Sequence, residues 1–304
     1  MLKTGVQKIL VPMATGEAFG AAAEYAAAQA RRRGVGIHVV TVLHPVYLGP
    51  PAVRELSIVE GELRAAGSDV LIRAEHQIRL LLGEVDLPVS TELVHGPLVP
   101  SLVHLSAQAA LVVLERQHHA PLPRIVTMSV TNGLAARSHA PVVTVPPGWA
   151  GAAAEAPVVI GVEDPDDPDV SGHVVRLGLE AARSQHAPAR LVHGWWYTDA
   201  YDDLVFAGDA AAHESARRRA RLLATYAPLL GEYDDVAVET LVRHAHPADL
   251  LVAVAGRAAA VVLGRHHPSF PLGSHLGPVT RAVLRESPCP VVVDPARRCG
   301  TGVA

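Results

Sequence analysis

Aromatic residues are scarce in this chain of 304 residues, at 4% of the total, so its cores must be built from Val, Leu, Ile and Ala. Such a composition suits helices packed on a Val-rich parallel sheet. There are only two cysteines, Cys289 and Cys299, close together and without a CxxC pair, which rules out a disulfide framework or a thiolate zinc knuckle and fits a reducing cytoplasm. No apolar run approaches the 18 residues of a membrane span, and Met1-Leu2-Lys3-Thr4-Gly5 leads into a strand-like segment without the charged and apolar regions of a signal peptide. Basic excess is absent too. With 26 Lys and Arg against 30 Asp and Glu, the formal net charge of −4 offers no attraction to nucleic acid or anionic lipid. What is present is 49% hydrophobic and 18% charged residues, a globular composition, over a length that suggests two domains.

An internal repeat organises the chain. Ile9-Leu10-Val11 matches Val158-Val159-Ile160 at an offset of 149 residues, and Val112-Val113-Leu114 matches Val261-Val262-Leu263 at the same offset. Pro141-Val142-Val143 matches Pro290-Val291-Val292, and Val42-Leu43-His44 matches Leu191-Val192-His193, again at 149. Pro97 against Pro247 suggests one small compensated insertion. The duplication predicts domains over 1–148 and 157–304, joined by a linker over 149–156 where Pro, Gly and Ala replace any periodic pattern.

Each half alternates strand and helix through five strands. In the first half the strands are expected over Lys8 to Met13, Ile37 to Leu43, Val89 to Val94, Leu111 to Leu114 and Val142 to Val145. An Ala-rich helix over Ala18 to Arg33 should end at Gly34, with Arg31-Arg32-Arg33 complementing the dipole of its last turn. Alternation of this kind implies an α/β fold: two doubly wound, five-stranded parallel sheets, Rossmann-like, in strand order 3-2-1-4-5. The last strand of each half is an apolar edge, so the two are expected to pair across a pseudo-twofold axis as an intramolecular pseudo-dimer, leaving room for a further homodimer.

The segment Val261-Val262-Leu263-Gly264-Arg265-His266-His267, followed by Gly277-Pro278-Val279-Thr280 and Ser287-Pro288-Cys289-Pro290-Val291-Val292-Val293, resembles the C-terminal motif of the universal stress protein family. Ile9-Leu10-Val11-Pro12, Val158-Val159-Ile160-Gly161-Val162 and Leu191-Val192-His193-Gly194-Trp195-Trp196 are similar to its first and second strands, so the resemblance spans nearly the whole chain. Nucleotide-binding members carry Gly-x2-Gly-x9-Gly-Ser/Thr after the fourth strand. Here Gly264 and Gly277 keep the outer glycines, His267 replaces the middle one and Pro278 replaces the Ser or Thr. A glycine at a parallel strand's end lets backbone amides approach an anion, and the next helix adds unpaired N–H groups. Thr280 is expected to cap that helix locally or to supply a residual hydroxyl contact. The acid that the family uses near adenine and ribose becomes Glu163 in the second half and Ala14 in the first. In the first half Glu115, His118, Met128 and Ser129 replace the loop pattern, and Glu115 would repel phosphate.

The resemblance thus implies a non-catalytic stress-response binding or signalling protein that takes ATP weakly, at Glu163, Gly264, His267, Gly277 and Thr280, in the second half only. A nucleotide-independent scaffold, acting on an unidentified protein partner through its tandem surface, is the alternative. An ATP-dependent hydrolase or kinase has less support, because no base and metal pair can be assembled. Gly273-Ser274-His275-Leu276-Gly277 has His275 where a nucleophile elbow needs Ser. The seventeen histidines include the pairs His118-His119, His244-Ala245-His246 and His266-His267, but no His-Glu-x-x-His spacing. Glu163-Asp164-Pro165-Asp166-Asp167 reads as a solvated loop with turn chemistry.

Overall fold

The computed structural model describes residues 7–14, 20–43, 53–116, 124–197, 206, 209–265 and 276–295, and the side chains of these except 53–59 and 124–129. The chain divides into two compact units, Met1–Gly148 and Trp149–Ala304. The segment expected as a linker therefore groups with the second unit.

In the first unit β1 (Lys8–Met13), β2 (Ile37–Leu43), β3 (Val89–His95), β4 (Ala109–Glu115) and β5 (Val142–Val145) form a parallel sheet in the order β3-β2-β1-β4-β5. Its helices are α1 (Ala21–Arg33), α2 (Val53–Leu82), α3 (Leu98–Ser106) and α4 (Arg124–Arg137), with α1 packed against α2 and α3 against α4. Six buried alanines let α1 lie close on the sheet: Ala21, Ala22, Ala23, Ala26, Ala27 and Ala30. Gly34 ends it at φ 64°, the left-handed region where glycine is needed, and its N–H bonds to the Ala30 carbonyl. Buried Ile9, Leu10, Val11, Val112 and Val113 form the middle of the sheet.

The second unit repeats the plan with β6 (Val158–Gly161), β7 (Ala189–Trp195), β8 (Val238–His244), β9 (Ala260–Gly264) and β10 (Val291–Asp294), in the order β8-β7-β6-β9-β10. Its helices are α5 (Pro168–Gln185), α6 (Asp209–Gly231), α7 (Pro247–Ala255) and α8 (Pro278–Glu286). Asp167 caps α5 by accepting the Asp169 N–H at 2.9 Å, Pro168 opens the helix, and His186 closes it in the left-handed conformation at φ 52°.

Strand register corrects the repeat in two places. Ile9 pairs with Ile37 and Val158 with Ala189, while Ile37 pairs with Val89 and Ala189 with Val238. Strand β7 is therefore equivalent to β2 at an offset of 152 residues, and Leu191-Val192-His193 corresponds to Val39-Val40-Thr41 rather than to Val42-Leu43-His44. The helix caps Gly34 and His186 share that offset. Three extra residues thus enter between β6 and the end of α5 and are lost again before β8. The insertion expected at Pro97 and Pro247 does not exist, because α3 and α7 start and end at the 149 offset; Pro97 is a cap and Pro247 the first helical residue.

Candidate functional site

In the second unit β6 lies between β7 and β9, which makes the carboxyl ends of β6 and β9 the topological switch point of the sheet, where a doubly wound fold offers a crevice. Open α/β sheets bind ligands at such a switch point. Two segments border it: the loop from β6 to α5, and the end of β9 with the start of α8.

The first segment is an acidic loop with most of its polar groups engaged. The Ser171 hydroxyl, buried in the first turn of α5, accepts the Glu163 N–H at 3.1 Å and the Asp164 N–H at 3.5 Å. Asp164 accepts from Asp166 N–H at 2.9 Å, a side-chain-closed turn, and Arg221 of α6 pairs with Asp166 at 3.1 Å. The Tyr226 hydroxyl donates to the carbonyls of Asp164 and Asp167, both at 3.3 Å. Burial pushes this phenol up to about 12, against a hydrogen bond with Ser171, with the charges of Asp164 and Asp167 adding to the rise. Glu163 itself is exposed, two residues beyond the end of β6.

Beneath the loop lies His193 of β7, 4% exposed. Its Nδ1 sits 3.0 Å from the Val162 carbonyl, which fixes the tautomer with the proton on Nδ1, and Nε2 has no hydrogen-bond partner among the described residues. Burial lowers its pKa below 6.5, and the positive charge of Arg218 works in the same direction, against the Val162 bond and the nearby Asp164 and Asp166.

The second segment is tied across its gap. The Thr280 hydroxyl donates to the Gly264 carbonyl at 3.1 Å, joining the last residue of β9 to the first turn of α8. The Thr280 hydroxyl, expected from sequence as a local cap, turns back to the strand instead, and the cap residue Gly277 has no side chain to offer α8. Gly277 is the cap residue at φ −66° and ψ 163°, extended backbone open to any residue, so its conformation does not require glycine. Gly264 is constrained by space: a Cβ there would stand 2.9 Å from Val174 Cγ2 of α5. Pro278, as the first helical residue, removes one N–H from the start of α8. His267, His266 and His118 lie outside the described residues, as do His119 and His275.

Residues 5–146 and 157–295 each match the Universal stress protein family. The chain belongs to the universal stress protein family. It is 28% identical over 296 residues to a universal stress protein of Mycobacterium tuberculosis, covering 90% of this chain and 92% of that one. A second universal stress protein of the same organism is 30% identical over 209 residues, 68% of this chain and 69% of that one. Among solved structures, a universal stress protein from Archaeoglobus fulgidus superposes with a TM-score of 0.68 at 16% identity, covering 96% of this chain and 98% of the other. A functionally unknown protein from Pseudomonas aeruginosa gives a TM-score of 0.56 at 15% identity, over 95% and 92% of the two chains. Both share the fold.

Of the residues that sequence singles out, the structure joins Gly264 to Thr280 directly and places Gly277 at the start of the same helix, with Glu163 at the exit of the neighbouring strand. Ser171, Tyr226, Arg221 and His193, which hold the Glu163 loop, were not anticipated. Tyr226 had a usable sign, being a lone aromatic in an Arg- and Ala-rich helix of a chain with only six tyrosines. Ser171 had none. Among the described residues no three His, Cys, Asp or Glu side chains are grouped to hold a metal, and no helix is long and apolar enough to cross a membrane.

Proposed function

We propose that this universal stress protein is a cytoplasmic, non-catalytic binding protein whose second unit takes an adenine nucleotide weakly, with Glu163, Gly264, His267, Gly277 and Thr280 as the contacting residues. The observation that carries this reading is the Thr280–Gly264 bond, which sets a glycine at the carboxyl end of β9 beside the first turn of α8, at the switch point of the sheet. Weakness follows from what surrounds it. Pro278 has no N–H to offer, the Thr280 hydroxyl is committed to Gly264, and Glu163, Asp164, Asp166 and Asp167 crowd the adjoining loop with negative charge. A hydrogen bond to a charged group is worth roughly 1.5–3 kcal/mol. Losing one weakens binding by about tenfold or more.

Calorimetric titration with ATP and Mg²⁺ at neutral pH tests this. The wild type should bind more weakly than micromolar, a His267→Gly, Pro278→Ser double variant should gain affinity, and Gly264→Glu should abolish the heat. Tight wild-type binding indifferent to Gly264→Glu would place the ligand elsewhere. The engaged Thr280 hydroxyl and the acidic loop also favour a second reading, a nucleotide-independent interaction scaffold. No heat in either the wild type or the double variant would select it. Phosphate release above background with Mg²⁺ would contradict the non-catalytic assignment.

A further inference from the structure

The first unit has the same switch point, between β1 and β4, and it holds a group of the chain's own. Glu115 is the last residue of β4, and its Oε2 accepts the N–H of Ala22 at 3.2 Å, across 93 residues of sequence. The helix receiving it, α1, has no cap from its own cap residue, Gly20. The carboxylate lies hard against that glycine: a Cβ on Gly20 would stand 2.4 Å from Glu115 Oε2, 2.6 Å from Oε1 and 2.8 Å from Cδ. Gly20 has φ −118° and ψ −148°, outside the left-handed region, and a side chain there would take the space that the carboxylate fills.

The second unit shows what the arrangement replaces. Leu111 pairs opposite Ile9 as Ala260 does opposite Val158, so Glu115 corresponds to Gly264. The left-handed caps Gly34 and His186 equate Ala22 with Val174. The same two positions meet in both units, because the space beside Gly264 is bounded by Val174. In the second unit α5 runs on past that point to Pro168 and is capped by Asp167. In the first, α1 starts at Ala21 and the anion at its positive end comes from β4.

We propose that Glu115 is an in-chain occupant of the first unit's switch-point crevice: its carboxylate caps α1 and closes that crevice to outside anions. This extends the sequence reading, in which Glu115 only repels phosphate, and it stands whether or not the second unit binds nucleotide.

The test is amide hydrogen exchange of the full chain, read on peptides covering the first turn of α1, with and without inorganic pyrophosphate. In the wild type this turn should be protected and indifferent to pyrophosphate. In Glu115→Ala it should exchange at least tenfold faster, and pyrophosphate should slow it again. Gly20→Ala should expose the same turn, because the new Cβ evicts the carboxylate. The Gly20→Ala, Glu115→Ala double variant should behave like Glu115→Ala alone. Unchanged exchange in Glu115→Ala, no protection by pyrophosphate, or additive effects in the double variant would each overturn the proposal. Should Glu115→Ala unfold the unit, Glu115→Gln keeps the acceptor and shape without the charge. Its α1 turn should exchange severalfold faster than wild type and gain protection from pyrophosphate; behaviour identical to wild type in both readouts would refute closure by the carboxylate.

Discussion

Two glycines of α5, six residues apart, should respond to alanine in opposite directions. Gly172 has nothing within 4 Å of an added Cβ. Alanine there gains helix propensity and restricts the unfolded chain, so Gly172→Ala should stabilise by about 0.5–1 kcal/mol. Gly178 would gain the same intrinsic term, but its Cβ would stand 2.4 Å from Ile160 Cγ1 and 2.5 Å from Cδ1. Ile160 is fully buried on β6 and cannot yield without moving its neighbours. Normal carbon contacts are about 3.5–4.0 Å, so α5 must lift by roughly 1 Å, and overpacking of this kind costs about 1–3 kcal/mol. The clash outweighs propensity, and Gly178→Ala should lose about 1–2 kcal/mol.

All three tryptophans, Trp149, Trp195 and Trp196, belong to the second unit, so urea unfolding followed by their fluorescence reports on that unit. A midpoint lower by ~1 M is expected for Gly178→Ala and a slightly higher one for Gly172→Ala. Ile160→Val removes Cδ1 and should relieve part of the clash, giving a coupling of about 0.5–3 kcal/mol with Gly178→Ala. If Gly178→Ala stabilises as much as Gly172→Ala, the close seat of α5 on β6 is wrong. Because α5 carries Ser171, that seat also sets the position of the Glu163 loop.

Two further outcomes follow from the groups that hold this loop. Tyr226→Phe removes a hydroxyl whose bonds to the Asp164 and Asp167 carbonyls are long and which also interacts with Ser171, so it should cost about 1 kcal/mol in the same urea assay, and a loss above about 3 kcal/mol would show that the hydroxyl holds more than these groups. His193 is held neutral in the folded chain, so below pH 6.5 the unfolded state takes up a proton that the folded state refuses. Stability of the second unit should then be full above that pH and fall as pH drops, by at most about 1.4 kcal/mol per pH unit, until folded His193 is also protonated. His193→Asn, whose amide can reach the Val162 carbonyl, should flatten the slope between pH 6.5 and 5, and an unchanged slope would assign the proton to another group.

The strands were legible because Val-rich runs flanked by turn residues leave few alternatives; Ile37–Leu43 and Val142–Val145 fall where periodicity puts them. The register of β2 was not, because Val39-Val40-Thr41 and Val42-Leu43-His44 both look like Leu191-Val192-His193, and only strand pairing chooses between them. At the site, Gly264 reads from sequence as a place for a ligand to approach. Its nearest constraint is Val174, 90 residues upstream, a contact that no local pattern reveals. Thr280 misled for a related reason: a hydroxyl in a first helical turn has a nearby capping option, and the competing acceptor at Gly264 becomes visible only when β9 and α8 are placed together.

The difference between the two crevices then has a compact physical origin. Strands β1, β4, β6 and β9 keep one register in both units, so the sheet alone would build equal sites. The three extra residues fall between β6 and the end of α5, where they coincide with a helix that reaches back to Pro168 and carries its own Asp167 cap. A self-capped helix leaves position 264 free to be glycine. A helix that begins at Ala21 takes no side-chain acceptor from its cap residue, Gly20, and Glu115 at the equivalent strand end supplies one. Helix capping and crevice occupancy are therefore one constraint: inserting a capped turn ahead of Ala21, with Glu115→Gly, should reopen the first crevice, whereas either change alone should leave α1 frayed or the carboxylate in place.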